Sequence, residues 1–210
     1  MLFARSVKAD AESEPAAAWD HIVEVIAEEG YTAGLREDGS IVFVGEDQYD
    51  RGWEHAMQWT DIERLEIRGK WIFGWRNDGT IVTTGGFDLY SWVGVTDIVY
   101  SWEADFIAGL RADGTVSIAF GQEAEIDRKF LEVTNWRNIR QLIYDSYAVE
   151  LVGLQTDGTV VATGIPSFWE EKWMASRNNP FVELVYTYAC LIGIRADGSV
   201  VGLVFRHDVI

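Results

Sequence analysis

The stretch GLQTDGTVVATG, residues 153–164, decides the fold. Its Asp-Gly pair stands between two runs of apolar and β-branched residues, the strongest short-range signal for a tight β-hairpin. Four further copies lie along the chain: GLREDGSIVFVG from Gly34, GWRNDGTIVTTG from Gly74, GLRADGTVSIAFG from Gly109 and GIRADGSVVGLVF from Gly193. The Asp-Gly pairs begin at Asp38, Asp78, Asp113, Asp157 and Asp197, with spacings of 40, 35, 44 and 40 residues. That period belongs to propeller blades or solenoid repeats. A helical solenoid is excluded, because no repeat keeps a long 3.6-residue period across its hairpin. A type I′ turn, with positive φ at both Asp and Gly, is expected at each tip. The strand after each tip, such as Thr80 to Thr83, reads as buried on both faces.

Upstream of each hairpin lies a second signature that opens a third strand. It reads Trp19 to Ile22, Trp59 to Ile62, Thr96 to Ile98, Trp136 to Ile139 and, most weakly, Phe181 to Leu184. Three strands per unit follow, and the linking segments could supply a fourth. The fold class is therefore all-β, a β-propeller of five blades over residues 19–210. Residues 1–18 form a separate N-terminal segment, whose run from Leu2 to Val7 is expected to pair with the last blade, closing the ring and hiding its edge. An open arc closed by a partner is the other solution.

The combination W-x-x-I, about a dozen residues, then G-L-x-x-D-G-T-V-V-A-T-G resembles the repeat of the regulator of chromosome condensation family, particularly its short bacterial versions. The resemblance covers about residues 19–205, and Gly153 to Gly164 is the nearest copy. Relatives place a His-Thr before the hairpin and an Asn and a Gly-Gln pair after it. Here Tyr31-Thr32 keeps the Thr and Gly121-Gln122 keeps a fragment. The resemblance implies blades radiating around a central channel. It also implies binding rather than turnover, since the family includes an exchange factor for a small GTPase and bacterial propellers that inhibit β-lactamases.

Composition narrows the partner. The 210 residues carry 17 Lys and Arg against 34 Asp and Glu, a formal charge of −17, which disfavours broad contact with nucleic-acid backbones. The single cysteine, Cys190, allows no internal disulfide and suits a cytoplasmic protein. No stretch is long and apolar enough to span a bilayer, and no secretory h-region precedes Trp19. The three histidines, His21, His55 and His207, lack metal-ligand spacing, and no nucleophile elbow, P-loop or dinucleotide fingerprint is present. No cofactor and no enzymatic activity are expected.

If the hairpins are framework, function belongs to the segments that differ between units. These carry Tyr49, Asp50 and Trp53, then Tyr90 and Trp92, then Trp169, Glu170 and Trp173. Aromatic anchors among acids point to a binding surface for a protein partner with a basic face, inhibition of that partner included. The bland alternative is that these aromatics cover blade edges or pack a short helix, as Trp169 and Trp173 would at a spacing of four. Two other functions compete: a propeller binding a nucleotide or sugar between blades, and an enzyme with its site in the central channel.

Overall fold

The structure is a computed structural model that describes residues 19–28, 31–46, 51–122, 124–146, 149–164, 179–187 and 190–204. They form five antiparallel sheets of three strands each, every sheet in sequence order. Blade 1 is β1 (Ile22–Glu28), β2 (Tyr31–Arg36) and β3 (Ile41–Gly45), and blade 2 is β4 (Ile62–Arg68), β5 (Trp71–Arg76) and β6 (Ile81–Thr83). Blade 3 is β7 (Val95–Ser101), β8 (Phe106–Arg111) and β9 (Val116–Phe120). Blade 4 is β10 (Ile139–Asp145), β11 (Glu150–Gln155) and β12 (Val160–Ala162); blade 5 is β13 (Phe181–Thr187), β14 (Cys190–Arg195) and β15 (Val200–Val204). Five such sheets on a period near 40 residues are blades of the β-propeller class.

Each Asp-Gly tip is a hairpin, but not of type I′. In blade 1 the Gly39 N–H donates to the Arg36 carbonyl and the Arg36 N–H to the Ser40 carbonyl, both at 2.9 Å. The loop therefore holds three residues, and only its glycine is left-handed: φ is 79° at Gly39 and 78–83° at Gly79, Gly114, Gly158 and Gly198. This is a type I turn closed by a glycine bulge. The aspartate stays at negative φ and accepts the N–H two residues on, from Ser40, Thr80, Thr115, Thr159 and Ser199, at 2.9 Å each time.

Burial on both faces is fullest on the middle strand; on the strand after the tip it holds over Ile41 to Phe43 of blade 1 but not in β6, β9 or β12. Phe106 to Leu110 and Glu150 to Leu154 are buried throughout, whereas β12 is half-buried. The leading glycine of the motif is the place where the tryptophan of W-x-x-I lies flat. A Cβ on Gly74 would stand 3.0 Å from the Trp59 ring, and one on Gly153 would stand 3.1 Å from the Trp136 ring. Gly109 takes Trp92 in the same way. Val95 pairs with Arg111 as Ile62 pairs with Arg76, so the third copy of the signature is Trp92 to Val95, not Thr96 to Ile98. All five first strands carry a register shift after their first residue.

The chain divides into two compact units, Met1–Gly85 and Gly86–Ile210. In the first, the core joins Ile41, Phe43, Ile62, Leu65 and Ile72 around Trp53. Blade 2 docks on blade 1 through the Ile62 N–H, which donates to the Gly39 carbonyl at 3.2 Å, and the Leu65 N–H, which donates to Glu24 Oε2 at 3.3 Å. The second unit repeats this joint twice. Ile139 N–H donates to Gly114 at 3.0 Å and Phe181 N–H to Gly158 at 3.1 Å, while Leu184 N–H reaches Gln141 Oε1 at 2.9 Å. No fourth strand occurs among the described residues. The described parts of two linkers instead turn as short helices, Trp53–Ala56 and Arg128–Leu131, the latter running into a 3-10 turn at Glu132–Asn135. The proposed closing strand from Leu2 to Val7 lies outside the described residues.

Candidate functional acidic surface

In the second unit, the end of the blades that carries the connections from first to middle strand gathers carboxylates and aromatics. The β7–β8 connection reads Ser101-Trp102-Glu103-Ala104-Asp105. Ser101 is buried and its Oγ accepts the Ala104 N–H at 3.0 Å, which folds the connection back on itself. Asp105 closes it at a φ of 45°, and its carbonyl accepts the Gly121 N–H at 2.7 Å, bringing the end of β9 alongside. Trp102 points outward and is 73% exposed.

Blade 4 joins this surface through Tyr144. The Ser101 hydroxyl donates to Tyr144 Oη at 2.7 Å, and Tyr144 donates on to Glu103 Oε2 at 3.4 Å. Burial foremost pushes the Tyr144 hydroxyl up to about 12; the Ser101 bond opposes that and the Glu103 charge adds to it. The phenol therefore stays protonated and serves as a fixed donor. Tyr186 of blade 5 repeats the device, donating to Asp145 Oδ1 at 3.0 Å, with Ser146 Oγ 3.3 Å away.

Asp145 and Glu150 face each other as register partners, and both are buried. The first residue of the middle strand is Tyr31, Trp71 and Phe106 in the first three blades, so Glu150 puts a carboxylate where the repeat puts a ring. Burial raises its pKa above the usual carboxylate range; Lys129 works against the rise and Asp145 with it. One Glu150 oxygen is buried without a hydrogen-bond partner. A desolvated Glu150 with an unpartnered oxygen beside a second buried carboxylate favours its own protonated form or an incoming positive group.

The residues expected from sequence are placed differently from one another. Trp53 is buried against Phe43, the rings stacked with centroids 4.8 Å apart, and Trp92 is buried over Gly109. Both are core side chains and cannot serve as surface anchors, because each fills the space its own blade leaves beside a glycine or an aromatic. Tyr90 is 97% exposed. Tyr49, Asp50, Trp169, Glu170 and Trp173 lie outside the described residues. The sequence reading passed over Trp102, Tyr144 and Tyr186, yet one signal was present: VYS, IYD and VYT, at residues 99–101, 143–145 and 185–187, recur at one repeat position.

A depression of about 380 Å³ in the first unit is lined by Asp20, His21, Arg36, Glu37 and Asp38. Arg36 lies 3.5 Å from Asp20, and the His21 ring lies 3.6 Å from the Glu37 carboxylate. Among the described residues, no group of three or more His, Cys, Asp or Glu side chains could hold a metal, and no helix is long and apolar enough to cross a membrane.

No known protein family and no curated protein matches the chain. Solved structures do. Human WBSCR16 superposes with a TM-score of 0.51 at 13% identity, over 87% of this chain and 61% of that one. The fold is a β-propeller. The CRINKLY WD40 ectodomain of the Arabidopsis thaliana receptor kinase ACR4 gives 0.47 at 14%, over 88% and 65%. Prp20p from Saccharomyces cerevisiae, described with its binding properties to Gsp1p and histones, gives 0.33 at 12%, over 88% and 45%. The chain spans less than two thirds of each of these propeller-type structures.

Proposed function

We propose that this protein is a non-enzymatic, cytoplasmic binding module of regulator of chromosome condensation-like repeats, which offers the acidic end of blades 3 and 4 to a basic protein surface. One observation carries the reading: Trp102, 73% exposed, stands between a buried serine and Glu103, both hydrogen-bonded to Tyr144, which directly precedes Asp145, the register partner of Glu150. An exposed indole held on a hydrogen-bonded frame supplies contact area at little entropic cost, and carboxylates around it select for Lys and Arg. The net charge of −17 steers a cationic partner toward the molecule before contact.

The test is a titration with a Lys- and Arg-rich peptide, followed by tryptophan fluorescence, beside a neutral peptide of equal length. Saturable binding that weakens with salt and is lost in Trp102→Ala and reduced in Glu103→Gln is the expected result. Equal binding of the neutral peptide, or no change in either variant, overturns the reading.

A further inference from the structure

The last rung between first and middle strand differs in kind in blade 4. That rung pairs Glu28 with Tyr31 in blade 1, Arg68 with Trp71 in blade 2, Ser101 with Phe106 in blade 3 and Thr187 with Cys190 in blade 5. Blade 4 alone sets two carboxylates opposite each other, Asp145 and Glu150, which are 1% and 8% exposed. Like charges directly across an antiparallel pair oppose folding, and burial strengthens the repulsion. A ring at residue 150 would avoid that cost, so the blade itself does not call for the pair.

The two acids are satisfied unequally. Asp145 Oδ1 accepts the Tyr186 hydroxyl at 3.0 Å, a bond that also fixes its orientation. Glu150 lies over Gly164, where a Cβ would overlap its Oε1, and its Oε2 is buried without a hydrogen-bond partner. Lys129 is the cation that bears on Glu150, yet its ion pair is with Asp127, Nζ to Oδ2 at 3.9 Å, and its Nζ stands 5.0 Å from the Phe130 ring. The charge of Glu150 is left unanswered among the described residues.

We propose that Glu150 is the seat for one primary ammonium group, the side chain of a lysine in the protein partner. The ammonium donates to Glu150 Oε2, and the Asp145 carboxylate opposite supplies a second negative charge. This deepens the reading of an acidic binding surface and rests on it. Glu150 offers a single open oxygen, not the two parallel oxygens that a guanidinium fork takes, and a compact ammonium with three donors fits that offer. Desolvation makes the lone carboxylate costly in the free protein and strengthens its bond to a cation brought against it, so the same feature that opposes folding favours the complex.

Calorimetric titration of the full chain with two peptides of equal length and charge, one carrying lysine at every cationic position and the other arginine, tests the seat. The wild type is expected to bind the lysine peptide about tenfold more tightly. In Glu150→Gln, which keeps the shape of the side chain, that preference is expected to vanish through weaker binding of the lysine peptide, the arginine peptide changing far less. Equal affinities in the wild type, or a lysine preference that survives Glu150→Gln, overturn the seat. If Trp102→Ala still weakens both peptides in that event, the acidic surface stands without it. A wild type that binds neither peptide overturns the seat and the surface together. If Glu150→Gln does not fold, Asp145→Asn replaces it: a reduced lysine preference supports the seat, and an unchanged one overturns it.

Discussion

The Gly158 carbonyl accepts the Phe181 N–H at 3.1 Å, and a methyl group on Gly158 would overlap Pro180. The hairpin tip of one blade is thus the seat for the next, and glycine is required there twice over, for its φ of 83° and for the space. Gly198 shares the φ and lacks the neighbour. Gly198→Ala is expected to cost only the left-handed strain, about 1–2 kcal/mol. Gly158→Ala adds the displaced joint, for a total of about 3 kcal/mol or more. Urea denaturation measures both. Equal losses would show that the tip carries no joint.

The five hairpin aspartates predict an acid limit. In Asp78, Asp113 and Asp157 the threonine hydroxyl two residues on donates at 2.6, 2.6 and 2.7 Å, and this bond, followed by the backbone N–H, holds each carboxyl below its ordinary value. Asp38 and Asp197 are lowered in the same way through Ser40 and Ser199. A lowered folded pKa means that the unfolded chain binds protons first, so the stabilisation is complete above the unfolded value near 3.8 and is lost as pH falls through the folded values. Thermal melts from pH 7 to pH 2.5 should show the midpoint falling across that window, and Asp78→Asn should flatten the fall.

The repeat was legible because its signal is local: Asp-Gly with flanking β-branched residues specifies a turn from neighbours in sequence alone. The turn type was not, since a two-residue and a three-residue loop differ by whether Arg36 pairs with Ser40, a matter of register. Trp92 escaped its proper place because the third copy reads W-V-G-V, with Gly94 standing where Asp61 stands and Val95 where Ile62 stands. The acidic surface was hidden for a different reason. Ser101, Tyr144 and Tyr186 belong to three different repeats, and only the packing of neighbouring blades brings Ser101 to Tyr144, at 2.7 Å, and Tyr186 to Asp145, at 3.0 Å.

Tryptophans at the two kinds of position should separate cleanly. Trp92→Ala removes a buried ring from the glycine it covers, and a loss of about 3–5 kcal/mol is expected. Trp102→Ala touches an exposed ring and should stay within about 0.5 kcal/mol of the wild type. Chemical denaturation followed by circular dichroism reads both. Destabilisation by Trp102→Ala comparable to that by Trp92→Ala would place Trp102 in the core and remove it from any surface.

Glu150 predicts the opposite pH dependence from the hairpin aspartates. Its folded pKa is raised, chiefly by burial, so the folded state favours the protonated acid. Relative to the unfolded chain, the contribution is most favourable below the ordinary value of 4.5 and is lost as pH rises through the raised value. At pH 7 the buried carboxylate beside Asp145 is therefore a liability. Glu150→Gln keeps the shape and removes the charge, so its melting point is expected to exceed the wild type's at pH 7. The gap should close as pH falls below 4.5, where the wild-type acid is itself neutral. If Glu150 is where a Lys or Arg of the partner inserts, the same variant binds the basic peptide less well while being more stable, a combination that loss of structure cannot produce. A melting point lowered at pH 7, or a gap that does not change with pH, would show that the carboxylate is satisfied in its ionised form and contributes to the fold.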